Sequence, residues 1–157
     1  MFASAYPSQS AFARRLSAGM YQQVGVESQL AGATPHHLVA MLFEGFMEAL
    51  AQARGAMQSG DMAVKGTAIG RAVRIVEEGL RAGLDLKAGG SLAQDLTDLY
   101  TYVTMRLTLG NLRNDENALT ECQRLMQPLQ EAWASIGSQA ERSPSPVSGP
   151  VARPAKR

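Results

Sequence analysis

From Leu38 to Ile136 the apolar residues recur at spacings of three and four, and this rhythm constrains the chain more than any other feature. Leu38, Met41, Leu42, Phe46, Ala49, Leu50, Ala53 and Met57 trace one stripe. Val64, Ala68, Ile69, Ala72, Ile75, Val76, Leu80 and Leu84 trace a second, and Leu92, Leu96, Leu99, Val103 and Leu107 a third. Ala118, Leu119, Cys122, Leu125, Met126, Leu129, Trp133 and Ile136 complete a fourth. An α-helix gathers such residues on one face, whereas a strand needs strict alternation, of which there is no convincing run. With eight Met and only nine aromatic residues in 157, the composition also favours helices over strands.

Local signals divide the rhythm into elements. Thr34 is an N-cap candidate with Pro35 at the first helical position, and Gly60 is a natural stop. Asp61 opens the second stripe, Ser91 the third and Asp115 the fourth, with "LDLKAGGS" read as a loop and "NLRND" as a helix end. Pro128 is expected to kink or split the last helix, because it removes one hydrogen bond and clashes with the preceding turn. A weaker helix is expected at about 11–31, ending before Gly32. Short connections make neighbours antiparallel. The expected fold is therefore all-α: an antiparallel up-and-down helical bundle of four long helices plus a weaker N-terminal one. Residues 1–20 read as a mobile N-terminal segment, 21–136 as the bundle, and 137–157, with four of the seven prolines, as a disordered Pro-rich tail.

Charge and composition exclude several functions. The formal net charge of +1 divides into +2 in residues 1–20, +3 in 137–157 and −4 between them. An acidic body argues against nucleic acid, which needs clustered Lys and Arg. No apolar run approaches the roughly 18 residues that span a bilayer. Cys122 is the single cysteine, which rules out an intrachain disulfide and a thiolate zinc cluster and fits a reducing compartment. No nucleophile–histidine pair and no phosphate loop after a strand is present, so neither enzyme chemistry nor a cofactor is expected.

His36 and His37 are the chain's two histidines. Adjacent helical side chains diverge by about 100°, so the pair cannot chelate one ion. A phosphate-accepting histidine normally sits mid-helix, and an imidazolium in the first turn opposes the positive helix end. They read as ordinary first-turn side chains.

Two features are less ordinary. Gly66, Gly70, Gly79 and Gly83 all fall inside the second stripe, each costing about 1 kcal/mol relative to Ala. Either another helix packs closely there, or the glycines open a shallow groove for a partner. The third segment also carries Tyr100, Tyr102, Met105, Arg106, Leu109 and Asn111 beyond its stripe, so it is apolar on more than one face.

These stretches resemble a known family. "YQQV" at 21–24, "ATPHHLVAMLFEGFMEALAQA" at 33–53, "KG" at 65–66, "GG" before "LYTY", "NLRND" at 111–115 and "AW" at 132–133 follow, in order, the pattern of the flagellin-specific export chaperones, FliS. The resemblance spans 21–136; the long N-terminus, the Pro-rich tail and Pro128 depart from it. It implies a cytosolic, non-catalytic bundle that binds the disordered C-terminal segment of flagellin, prevents premature polymerisation and keeps it competent for type III export. The export gate and regulatory proteins are further implied partners, and the segment around Tyr21 is implied to cover part of the binding surface. Tyr21, Val24, Phe43, Phe46, Ile69, Leu96, Tyr100, Val103 and Leu107 are the expected apolar contacts, and Lys65, Arg106, Asn111 and Asn114 the polar ones. A histidine phosphotransfer bundle and a structural helical adaptor are the alternatives.

Overall fold

A computed structural model of the chain describes the backbone of residues 34–142 and the side chains through residue 137. The helix expected near 11–31 and the segment 1–20 lie outside the described residues, as does 143–157. Among the described residues there are four helices and no strand: α1 (Pro35–Ser59), α2 (Met62–Arg74) continuing as a π-helical segment (Ile75–Arg81), α3 (Leu86–Arg113) and α4 (Glu116–Arg142).

The helix ends follow local chemistry. Thr34 Oγ1 accepts the His37 amide at 3.0 Å, and Asp61 Oδ1 accepts that of Val64 at 3.1 Å. Gly60 stops α1 at φ 81°, and Asn114 stops α3 at φ 54°, both left-handed. Asp85 caps α3 through the amides of Lys87 and Ala88, both at 3.1 Å, so a helical turn forms inside the stretch expected to be a loop. Gly90 (φ 59°, ψ −137°) then breaks that turn from the rest of α3, in a conformation that only glycine adopts readily. The long straight part of α3 thus does begin near Ser91.

Pro128 does not split α4, which is one element to Arg142. Pro128 and Arg124 are both exposed, so the carbonyl deprived of its partner faces water rather than the core. Helix also continues past the 136/137 boundary expected from composition, since "SQAER" contains no breaker before Pro144.

The helices form a ring in which α1 packs on α2 and α4, and α3 packs on α2 and α4. Specific contacts establish that neighbours are antiparallel. Arg54 near the end of α1 meets Glu116 at the start of α4, and His36 at the start of α1 meets Trp133. Lys65 at the start of α2 reaches Asn111 near the end of α3. The core is filled by Val39, Phe46, Leu50, Ile69, Val76, Leu80, Tyr100, Val103, Leu107, Leu119 and Met126, all less than 2% exposed. Cys122 lies among them with its thiol donating to the Val103 carbonyl at 3.6 Å, and burial pushes that thiol up to about 12. Val64, expected in the second stripe, is instead exposed, because Lys65 takes the buried position beside it.

Candidate functional site

A groove of about 500 Å³ runs between α1 and the α2–π element. Its α1 wall is Leu38, Met41, Leu42 and Gly45, and its other wall runs from Arg71 through Ile75, Glu78 and Gly79 to Ala82 and Gly83. Val39 turns into the core, which leaves its i−1, i+2 and i+3 neighbours, Leu38, Met41 and Leu42, flanking it. Those neighbours keep part of their surface exposed, Met41 as much as 49%.

Two glycines set the depth of the groove. A Cβ on Gly79 would lie 2.9 Å from a Leu42 methyl, and a Cβ on Gly45 would lie 3.3 Å from both Arg71 Nη2 and Ile75 Cδ1. The π segment contributes as well. Its bonds close over five residues, as in Ala82 N–H to the Glu77 carbonyl at 3.2 Å, and the wider turn brings both the 78–79 and the 82–83 pairs to the groove. Arg71 is held at the mouth by Glu48 at 3.7 Å. Of the four glycines expected either to admit a closely packed helix or to open a shallow groove, Gly79 and Gly83 line this groove, whereas Gly66 and Gly70 face open space.

The residues expected to touch a client are divided among three environments, apart from Tyr21 and Val24, which lie outside the described residues. Phe43, Phe46, Ile69, Leu96, Tyr100, Val103 and Leu107 are core residues, none more than 3% exposed. Lys65, only 6% exposed, donates from Nζ to the Asn111 carbonyl at 2.9 Å and to Asn114 Oδ1 at 3.3 Å. These three residues are brought together as a clamp on the C-terminal end of α3, where a cation also suits the helix dipole. Arg106 is on the α3–α4 surface, where its Nε donates to Glu121 Oε1 at 2.6 Å and Tyr102 Oη donates to Glu121 Oε2 at 2.7 Å. Those two hydrogen bonds, Tyr102's first, hold the Glu121 carboxyl below the usual range; the same bonds raise Tyr102 and Arg106 above theirs.

The groove residues Leu38, Met41, Leu42 and Ile75 were legible only as parts of core stripes. The signal that could have separated them is stripe width: residues 38, 39, 41, 42, 43 and 46 cover more of α1 than one core face needs.

His36 turns out to be a structural residue. Its ring stacks on Trp133 (centroids 5.1 Å apart, 6° between planes), its Nε2 donates to the Trp133 carbonyl at 2.6 Å, and Trp133 Nε1 donates to the His36 carbonyl at 2.9 Å. Gly137 sits beneath the imidazole, where a Cβ would collide with the ring. His37 is exposed, and among the described residues no group of three His, Cys, Asp or Glu side chains could hold a metal. No helix among them is long and apolar enough to cross a membrane.

Comparison with known proteins adds an independent line. The profile of a family described as Flagellar protein FliS matches residues 17–140. The chain is 44% identical to a flagellar secretion chaperone FliS of Salmonella typhimurium over 120 residues, covering 76% of this chain and 89% of that protein. It is 40% identical to the Escherichia coli K12 flagellar secretion chaperone FliS over 131 residues (83% and 93%). Identity to the flagellar secretion chaperone FliSB of Pseudomonas aeruginosa is 43% over 116 residues (74% and 91%).

Proposed function

The chain belongs to the flagellar protein FliS family, and from that premise we propose that its client is the disordered C-terminal segment of flagellin, held in the cytosol until export. The protein is a flagellar secretion chaperone rather than an enzyme, and its substrate is a protein.

The observation that carries the finer reading is the α1–α2 groove. An export client that must stay unpolymerised has to have its apolar surface covered while its chain is otherwise unfolded. Leu38, Met41, Leu42 and Ile75 offer apolar contact over about two turns of α1, and Met adapts to a varied sequence. Ordering a disordered client costs on the order of 2–5 kcal/mol, so an elongated contact suits it better than a point contact. In this proposal direct contact falls on those four residues. Phe43, Phe46, Ile69, Leu96, Tyr100, Val103 and Leu107 shape the walls from within. The Lys65–Asn111–Asn114 clamp fixes the α2–α3 end, and Tyr21 and Val24 belong to an N-terminal cover that the client displaces. The export gate and regulatory proteins are further partners.

Titration calorimetry of the full chain with a peptide from the flagellin C-terminus tests this. Micromolar or tighter binding, weakened at least about tenfold by Met41→Asp, is the expected result. Absence of binding at tens of micromolar overturns the client assignment. Phosphotransfer through His36 has no support in the geometry, since its ring is stacked and bonded to Trp133.

A further inference from the structure

We propose that the α1–α2 groove reads the direction of its client: it takes an amphipathic helical segment with a carboxylate beside its apolar stripe and a cationic side chain about 10 Å further along, in one orientation. The inference rests on that groove being the client site, and it adds Arg71 and Glu78 to the apolar contacts. Among the described residues that line the groove, these two are the charged ones, and they are of opposite sign. Both stand on the α2–π wall, Arg71 at one end and Glu78 more than half-way along. Their spacing in sequence corresponds to about 10 Å at the rise of a helix. The facing α1 wall, Leu38, Met41, Leu42 and Gly45, carries no charge.

Neither charge is spent within the chain. Gly45 leaves the room in which the Arg71 guanidinium lies, since a Cβ there would come within 3.3 Å of Nη2. Glu48 Oε1 is 3.7 Å from Nη2, too far for a hydrogen bond, and the Glu48 side chain is 67% exposed against 42% for Arg71. Among the described residues the Arg71 side chain therefore makes no hydrogen bond, and its N–H groups remain open to a planar acceptor, which a carboxylate matches two at a time. Glu78 is exposed and has neither hydrogen bond nor ion pair among the described residues, because its neighbours Glu77 and Arg81 bind each other at 2.6 Å. A carboxylate only accepts, so Glu78 suits a lysine or an arginine.

What selects is not net charge, which cancels along the wall, but the order of the two signs. Glu44, Glu48 and Arg74 are the other charges close by in sequence, and they do not line the groove. Apolar contact with Leu38, Met41, Leu42 and Ile75 is nearly indifferent to direction, because an apolar stripe reads alike both ways. A segment with one carboxylate and one cation is not indifferent. Laid one way it meets two attractions, and laid the other way two repulsions. Each half-exposed pair contributes little alone, yet the difference between orientations sums all four, and the apolar walls keep part of the water away. Fixing the direction determines from which end of the groove the rest of the client emerges.

The test uses the full chain and two designed helical peptides of about 20 residues that share one leucine stripe and one composition. In one, a glutamate beside the stripe precedes a lysine by about seven residues; in its twin the two are exchanged. Fluorescence anisotropy at about 50 mM salt is expected to show saturable binding below about 100 μM, with one peptide at least about fivefold tighter than the other. That ratio should fall towards one at about 500 mM salt and in Arg71→Gln combined with Glu78→Gln, and it should invert in Arg71→Glu combined with Glu78→Arg. A ratio of affinities is insensitive to a partial loss of folded protein. Met41→Ser should weaken both peptides alike, and Leu112→Asp, at an exposed position on α3, should weaken neither. Twins that bind equally or not at all, a ratio that survives in the double glutamine variant, an order that does not invert, or binding lost on Leu112→Asp and kept on Met41→Ser overturns the proposal. So does a chain that sediments as a dimer and becomes monomeric on Met41→Ser, which would assign the groove to a second copy. If the flagellin C-terminal peptide binds and is weakened by Met41→Asp while the twins bind equally, the groove assignment stands and the directional reading falls. If the twins are told apart and the flagellin peptide does not bind, the directional reading stands and the client assignment falls.

Discussion

His36 and Trp133, 97 residues apart, each hold the other's backbone. The imidazole Nε2 donates to the Trp133 carbonyl at 2.6 Å, the indole Nε1 donates to the His36 carbonyl at 2.9 Å, and the two rings stack between them. A carbonyl only accepts, so Nε2 must carry the hydrogen. The pair ties the first turn of α1 to α4 only two residues before the groove wall begins at Leu38. Trp133→Phe keeps an aromatic ring in place but removes one donor, and should cost about 1 kcal/mol in urea denaturation. Gly137→Ala should also destabilise, despite alanine's better helix propensity, because its methyl displaces the imidazole. An unchanged midpoint in both variants would show that the pair holds nothing.

The glycines of α2 and its π segment should divide by position. A methyl added at Gly66 or Gly70 would meet nothing within 4 Å, so Gly70→Ala should stabilise by up to about 1 kcal/mol without altering client binding. Gly79→Ala pushes against the flexible end of Leu42, 2.9 Å away. It should change the melting temperature little and weaken the flagellin peptide by driving Leu42 into the groove. Calorimetry on both variants checks the contrast, and equal affinity of Gly79→Ala and wild type would count against the groove.

Core and groove residues should fail differently. Leu107 is fully buried, and Leu107→Ala should cost about 2–5 kcal/mol in chemical denaturation. Met41, half exposed, should lose less than about 1 kcal/mol on replacement by Ala yet bind the client peptide less well. If Leu107→Ala stays as stable as wild type and loses only binding, it belongs to the client surface after all.

Glu121 should make stability depend on acid. Its folded pKa lies below the ordinary 4.5 because Tyr102 and Arg106 donate to the charged form. Its contribution is therefore fully present above that ordinary value and is lost as pH falls through the lower folded one. Glu121→Gln should be less stable than wild type at pH 7, with the gap closing below about pH 4. Tyr102 has the opposite sign: its pKa is raised above 10.0, so its contribution holds below that value and fades as pH rises through the higher folded one. Denaturation curves of wild type and Glu121→Gln across pH 3–7 test this; a constant gap would mean that the carboxylate does not titrate through these bonds.

Local chemistry along the chain suffices for the helices and most of their ends. Thr34, Asp61, Gly60 and Asn114 act through contacts no more than a few residues away, and such signals do not depend on what packs above them. Where two local signals competed, the reading was incomplete. Gly89 and Gly90 suggested a loop and hid the Asp85 cap, although the break at Gly90 is real. Pro128 suggested a split that its exposed position made unnecessary. Which side of each apolar helix is core and which is surface follows only from how the helices pack together. Tyr100 and Tyr102 are two residues apart and chemically alike, yet one is fully buried and the other borders solvent. Lys65, a charged residue, is more buried than its neighbour Val64, because the C-terminal end of α3 offers it a carbonyl and a side-chain amide within reach. Periodicity fixes the angle between side chains on one helix, but only the arrangement of the other three helices sets where the core lies around it.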